Sequence, residues 1–364
     1  MSDRQYKRIL IVEVNWLGDV LFSTPLIKAM RRKFKGAYIA CMLDPRAKEI
    51  LEHNPRINEL IIYDEKGKHR SLAGKARLVS LIRKKKFDLA VLLHRSFTKA
   101  LMTRLAGIGE RAGYATKKRK ALLTRPVDPP EAPAHKVEYF LRIARELGCD
   151  ILDKNYEFFV TDKERKYIEE ELAGEGVKKE GLMVVINPGA NWEPKRWSEA
   201  NFARLADGLI TKYGAKVVVA GAKKDLEMAG RIKERMKRSL IILAGRTDLG
   251  ELGALMERAD FVISGDTGPM HIASAVKSKV IALFGPTSPA LTGPYGSANY
   301  RVIQKDVGCE IPCYDLACKN YKCMDAITVD DVLRVFSEML PNRNPEAPSN
   351  PCHPEAPRRG AEGS

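Results

Sequence analysis

No stretch of the sequence reaches the roughly 18–20 uninterrupted apolar residues that cross a bilayer, so no helical membrane anchor is expected. The opening MSDRQYKRILIVEVNW sets an apolar strand beside a charged start and lacks the longer apolar core and small-residue cleavage site of a signal peptide. Seven cysteines, an odd number in 364 residues, do not make a secreted disulfide scaffold. These absences predict a cytoplasmic protein. Phosphate and metal signatures are missing too. The loop Asn15-Trp16-Leu17-Gly18-Asp19 after the first apolar strand holds one glycine and no G-x-G-x-x-G, so Asp44 at the next strand end has no dinucleotide site to serve. There is no G-x-x-x-x-G-K-[ST] P-loop and no Asp-x-Asp at the expected cleft. No cofactor and no catalytic metal are predicted.

Acidic residues are scarce in one region. Between Lys66 and Arg125 there are 18 Lys or Arg against only Asp88 and Glu110; the remaining chain has 44 basic and 44 acidic residues, so the whole formal excess of +16 belongs to this segment. Charge segregated in this way points to an anionic partner rather than a merely solvated face. Aromatics are scarce there as well, with only Phe87, Phe97 and Tyr114. That counts against the competing class, a nonenzymatic nucleic-acid-binding protein.

What the chain has in plenty is alternation. Residues 8–14 (RILIVEV) form a short β-branched run suited to a buried parallel strand. Helical spacing over 20–34 follows, then strand 37–43, helix 46–53, strand 57–63, helix 71–85, strand 87–94, helix 97–106 and a closing helix at 136–147. The pattern lapses around 150–161 and restarts: strands at 182–187, 216–220, 240–243, 261–264 and 280–284, helices at 198–213, 225–238, 249–258, 268–276 and 328–340. Strands alternating with helices predict an α/β fold of two doubly wound domains facing a central cleft, with ligands at the carboxyl ends of the strands. The expected divisions are 1–155, 156–327, a terminal helix 328–340 and a tail 341–364. That tail is Pro-rich and lacks large apolar residues, so it is expected to be disordered.

The strongest local signal is FVISGDTGPMHIA at 261–273. A strand runs into Gly265, Asp266, Thr267 and Gly268 and a helix begins at once, so free N–H groups and the positive end of the helix dipole face whatever lies above the strand. Gly268 permits close approach of a phosphate, and His271, one turn on, could reach the same point. The competing reading is a helix cap at Asp266 or Thr267 and a core histidine. Three more strand ends in the same half carry Gly and polar residues: Asn187-Pro188-Gly189-Ala190 with Lys195 in the following loop, AGAKKDLE with Asp225, and LFGPTSP. One nucleotide site explains the four together. In the first half, Asp19 lies where the first loop meets its helix, as a cleft-facing carboxylate or as a cap.

NWLGDVLFSTPLIKAMR, PGANWEPKRWSEANFARLA, SGDTGPMHIASA and ALFGPTSP, in that order over residues 8–340, resemble the heptosyltransferases of glycosyltransferase family 9. The resemblance implies a GT-B architecture of two Rossmann-like domains. It also implies an inverting, metal-independent transfer from ADP-L-glycero-D-manno-heptose to the lipopolysaccharide inner core. Carried over by residue, the general base falls on Asp19 and the donor-binding lysine on Lys195. The acid holding the nucleoside falls on Asp225, with Glu227 the other candidate. The diphosphate turn falls on Asp266, Thr267 and Gly268, with His271 and Gly189 beside them, and acceptor contacts fall on Arg95 and Ser96. The implied partners are an ADP-sugar and an anionic lipopolysaccharide-core acceptor at the inner face of the cytoplasmic membrane, where the +16 segment finds its opposite charge. A relative using another nucleotide sugar or a surface-polysaccharide acceptor is the alternative.

Cys309, Cys313, Cys318 and Cys323 crowd into fifteen residues. The spacing within each pair suits zinc, but only four residues separate the pairs, fewer than common structural zinc sites use. A structural cluster and reduced packing thiols are the two readings. Cys41, Cys149 and Cys352 show no pattern.

Overall fold

The computed structural model describes residues 5–340 apart from 297, 298, 314, 316 and 317. The tail 341–364, with Cys352, lies outside the described residues.

Among the described residues, twelve strands form two six-stranded sheets, every pairing parallel. The first contains β1 (Arg8–Val12), β2 (Tyr38–Leu43), β3 (Glu59–Ile62), β4 (Leu89–Leu92), β5 (Glu110–Tyr114) and β6 (Arg125–Val127), ordered β3-β2-β1-β4-β5-β6. The second contains β7 (Met183–Asn187), β8 (Lys216–Val219), β9 (Ile241–Ile242), β10 (Phe261–Gly265), β11 (Lys279–Phe284) and β12 (Tyr300–Gln304), ordered β12-β11-β10-β7-β8-β9. Both sheets are therefore doubly wound with the same order. In each, the chain reverses direction beside its first strand, between β1 and β4 and between β7 and β10. Those are the switch points at which α/β sheets take ligands.

The first sheet is crossed by helices α1 (Leu17–Lys33), α2 (Lys48–Leu51), α3 (Leu72–Lys84), α4 (Phe97–Leu105) and α5 (Lys136–Glu146). The second has α6 (Asp162–Gly174), α7 (Glu199–Tyr213), α8 (Leu226–Glu234), α9 (Leu249–Arg258), α10 (Gly268–Ala275), α11 (Pro289–Thr292), α12 (Lys322–Asp325) and α13 (Val329–Met339). Local chemistry starts many of them: Ser71, Ser96, Thr161, Ser198, Asp248 and Thr328 cap helix N-termini with their side chains. Alternation along the strands divides the first sheet's core. Ile9, Ile11, Ile39 and Val91 pack with α1 and α5, whereas Leu10, Val12, Met42 and Leu92 pack with α3 and α4 on the other face.

The structure adds elements the sequence pattern does not announce. β5 (ERAGY), β6 (RPV) and β12 (YRVIQ) lie at or beside sheet edges, where burial is incomplete and charge, Gly and Pro are tolerated. Helix α6 has only Ile168 and Leu172 buried, enough to seat it on α9 without an apolar stripe in its sequence. The segment 150–161 has neither helix nor strand and links the two sheets. Tyr156 packs edge-on to Phe22 at 5.6 Å, and Phe22 in turn meets the His271 ring at 4.6 Å. The two sheets thus share one continuous apolar core, with α1 packed on α10.

Candidate functional site

The carboxyl ends of β7 and β10 are tied together by Asn187. Its amide donates to Ser264 Oγ (3.1 Å), Thr267 Oγ1 (3.3 Å) and Gly189 O (3.4 Å). With Thr267 Oγ1 drawn into this network, Thr267 stands at the N-cap of α10 without capping it by its side chain. Asp266 does not cap it either, because its buried carboxylate accepts from Lys195 Nζ at 2.6 Å, and Lys195 also reaches Asp266 O at 3.3 Å. The N-terminus of an eight-residue helix is thereby left facing the cleft, with Lys195 beside it. Burial alone would raise the Asp266 carboxyl. His271, with Nε2 at 3.8 Å, and Lys195 outweigh it and hold the group down to about 2.

Gly189 has a steric reason to be glycine: a Cβ there would lie 2.6 Å from the Asp225 carboxyl carbon, and one on Gly221 would lie 3.0 Å from Asp225 Cβ. Asp225 is buried between these turns, with Oδ2 accepting from Ala222 N at 2.9 Å. Glu227 points elsewhere, paired with Arg231 at 2.6 Å on an exposed helix face. Of the two candidate acids, Asp225 therefore lies beside Gly189 at the strand ends and Glu227 does not. Gly268 meets the first domain: its Cβ would sit 3.5 Å from Leu17 Cβ.

Asp19 occupies the first turn of α1 and makes no cap; Trp16 holds the N-cap position, again without a side-chain bond. Burial raises the Asp19 carboxyl above its ordinary range, against the charges of Lys136, His271 and Lys195, while Asp266 adds to the rise. The groups acting on Asp19 thus come from both domains. Beside it opens a pocket of about 240 Å³ lined by Asn15, Trp16, His94, Arg95, Lys136 and Tyr139 among others. Arg95 is exposed, with its guanidinium 5.9 Å from the Tyr139 ring centroid, and the Tyr139 hydroxyl is buried without a partner. Ser96 is used differently: its hydroxyl accepts from Lys99 N and caps α4.

Several residues that build this pocket are absent from the sequence reading. Lys136 and Tyr139 reach it from α5, far along the chain from Asp19. Behind it, Lys99 Nζ is buried and donates to Glu13 O (3.1 Å) and Asn15 Oδ1 (2.8 Å), fixing the loop that presents Asp19. The fully buried Arg119 has no acidic partner among the described residues. It donates to Tyr114 O (2.9 Å), to Leu92 O and to His94 O, clamping the end of β4. A lone basic residue in a basic segment carries no signal of such a role.

Cys309, Cys313, Cys318 and Cys323 line one small space of about 40 Å³ with Pro194 and Pro286, next to two of the strand-end loops. All four are free thiols, and burial raises the Cys323 thiol. Among the described residues, no three His, Cys, Asp or Glu side chains are grouped to hold a metal ion. No described helix is long and apolar enough to cross a membrane.

Comparison with known proteins places this geometry. Residues 75–323 match the model of glycosyltransferase family 9 (heptosyltransferase). Lipopolysaccharide heptosyltransferase 3 of Escherichia coli (strain K12) is 30% identical over 349 residues, covering 92% of this chain and 98% of that protein. The crystal structure of the family 9 glycosyl transferase from Veillonella parvula superposes with a TM-score of 0.85 at 26% identity, covering 92% of this chain and 97% of that one. E. coli ADP-heptose lipopolysaccharide heptosyltransferase II superposes with a TM-score of 0.74 at 27% identity, covering 91% and 98%. The two doubly wound sheets are the halves of a GT-B fold, and the chain belongs to glycosyltransferase family 9 and is a glycosyltransferase.

Proposed function

We propose that this enzyme transfers a heptose from ADP-heptose to a lipopolysaccharide-core acceptor, with inversion and without a metal ion. The observation that carries the reading is the meeting of Asp19 on one domain with Lys195, Asp266 and His271 on the other. The name of the similar E. coli heptosyltransferase II supports the choice of donor. The acceptor hydroxyl, held in the pocket by Arg95 and Tyr139, attacks the anomeric carbon as its proton passes to Asp19. The bond from that carbon to the diphosphate breaks, and ADP leaves with the electron pair. Lys195 and the open N-terminus of α10 meet the growing negative charge, as fixed positive ends that need no reorganisation. Gly189 and Asp225 hold the nucleoside, and Thr267 and Gly268 shape the diphosphate turn. The division between acceptor and donor domains falls near 155/156, in the segment between α5 and α6. The acceptor is lipid-linked, and the enzyme works at the inner face of the cytoplasmic membrane.

Calorimetry with ADP, UDP and GDP, first without metal and then with magnesium, tests this. Selective ADP binding indifferent to magnesium is expected. Preference for UDP or GDP would transfer the same fold to another nucleotide sugar, and binding that requires magnesium would overturn metal independence.

A further inference from the structure

Four large apolar side chains stand exposed on the outer layer of the first domain. Leu72 is 85% exposed and Leu81 45% on α3, and Phe97 is 50% and Leu105 52% on α4. The two helices lie side by side, run parallel and are in register, because Arg83 near the end of α3 donates to Leu105 O at the end of α4. Leu72, eleven residues before Arg83, stands on the same flank of α3, toward α4, so Leu72, Phe97 and Leu105 belong to one patch, whereas Leu81, nine residues from Leu72, lies on the opposite flank of α3. At 1.5 Å per residue Phe97 and Leu105 are roughly 12 Å apart along α4. The buried faces of these helices are already satisfied by the sheet, through Leu78, Val79, Ile82, Ala100 and Met102.

The same layer carries the basic excess, and that charge is uncompensated. Arg77, Arg83, Lys84, Lys86 and Arg104 are exposed, and none forms an ion pair among the described residues. Elsewhere in the segment, Lys85 is paired with Glu59 and Arg125 with Glu110. Exposed leucines and a phenylalanine ringed by unpaired cations match a surface that is anionic at its outer plane and apolar beneath it. A nucleic acid would meet the cations but would gain nothing from the aliphatic side chains, and the layer has no row of exposed rings on which bases could stack.

We propose that the α3–α4 face docks on an anionic phospholipid bilayer, with Leu72, Phe97 and Leu105 at headgroup depth. The inference rests on the reading of a lipid-linked acceptor and gives it a geometry. Both helices begin at the carboxyl-end side of the sheet, and Arg95, two residues before Phe97, lines the acceptor pocket. Docking by this face holds the pocket mouth at the headgroups, where the sugar of a bilayer-anchored acceptor is found.

Co-sedimentation of the full chain with vesicles of phosphatidylcholine alone and with added phosphatidylglycerol, without acceptor, tests the proposal. Binding to the anionic vesicles only is expected, weakened at least ~10-fold by replacing Arg83, Lys84, Lys85 and Lys86 with Gln. Leu72→Ser with Leu105→Ser is expected to remove the binding that persists at 0.5 M salt, where charge is screened over about 4 Å. In Phe97→Trp, the added fluorescence is expected to shift blue and be quenched by brominated lipid. Thermal melts unchanged from wild type show that the variants fold. Equal binding to both vesicle types, or binding that none of these variants alters, would overturn the docking face. So would a preference for duplex DNA indifferent to the leucine changes. Turnover on a deacylated, soluble acceptor separates the two readings: activity there without vesicle binding rejects the docking face and keeps the function, whereas vesicle binding without transfer to any heptose acceptor does the reverse.

Discussion

A methyl group on Gly18 would sit 2.9 Å from Cδ2 of the His271 ring, so the first residues of α1 and the first turn of α10 approach as closely as glycine allows. The contact joins the loop that presents Asp19 to the helix whose N-terminus faces the donor side. Gly18 does not have a left-handed backbone, so its requirement is one of space. Gly18→Ala must separate the two helices or tilt the imidazole. Since a displacement of about 1 Å can cost ~100-fold in rate, kcat is expected to fall by one to two orders of magnitude with ADP affinity nearly unchanged. Steady-state kinetics beside ADP calorimetry would check this; an Ala variant of full activity would mean that this approach is not part of the working geometry.

The legible part of this protein was local. Strand runs such as RILIV and FVISG, and the Gly-Asp-Thr-Gly turn, declare themselves because backbone chemistry and burial act within a few residues. Asp19, Lys195 and Asp266 could be singled out for the same reason, each standing at a strand end or in the loop after one. Lys136 and Tyr139 could not, since only the packing of α5 on α1 carries them to Asp19, over 115 residues away in the chain. The choice between Asp225 and Glu227 needed side-chain direction: Glu227 turns to Arg231, one helical turn along. The partners of Lys99 were equally hidden, because its bonds cross to Glu13 and Asn15 from a helix more than 80 residues later.

Asp19 as base makes activity sensitive to acid. The group must be ionised, so kcat/KM should fall as pH drops through its pKa, which burial places above the ordinary carboxylate range. Lys136 is the largest charge holding that value down. Lys136→Met should therefore move the acidic limb of the profile upward. Asp19→Asn should cost about 10²–10⁴ in kcat while leaving ADP binding intact. A limb that ignores Lys136 would assign the titration to another group.

In the proposed mechanism Lys195 and Asp266 would serve stability and chemistry together, and a double-mutant cycle separates the two. Lys195→Met leaves the buried Asp266 with only His271 at 3.8 Å, and removing one partner of such a pair costs about 3–5 kcal/mol. Adding Asp266→Asn removes the stranded charge and should restore most of that stability without restoring ADP affinity or turnover. In the wild type the pair contributes fully above the unfolded carboxyl value and is lost as pH falls toward about 2. Urea melts and ADP titrations of all four proteins at pH 7 would show recovery of one property and not the other. Recovery of both would reduce Lys195 to a structural counter-ion.

Glu13 gives a stability signature of the opposite sign. Its side chain is fully buried on the α1 face of the first sheet, with Ser23 Oγ donating to Oε1 at 3.0 Å and Oε2 unpartnered. Burial lifts its carboxyl to about 8, against Ser23, the Val14 amide and Lys99. The folded state therefore holds a proton that the unfolded chain releases near 4.5, and stability is lost as pH rises from there to about 8. The gap bounds that loss at about 5 kcal/mol. Gln resembles the protonated acid and cannot ionise, so Glu13→Gln should match the wild type at pH 5 and exceed it at pH 8. Transfer should be little changed, because Lys99 bonds the Glu13 carbonyl and Asn15, not the carboxylate. Lys99→Met, which frees Asn15 at the pocket wall, should raise the acceptor KM instead. Chemical melts of Glu13→Gln from pH 5 to 8 decide the matter: a difference from wild type that does not grow with pH would mean that Glu13 is ionised throughout.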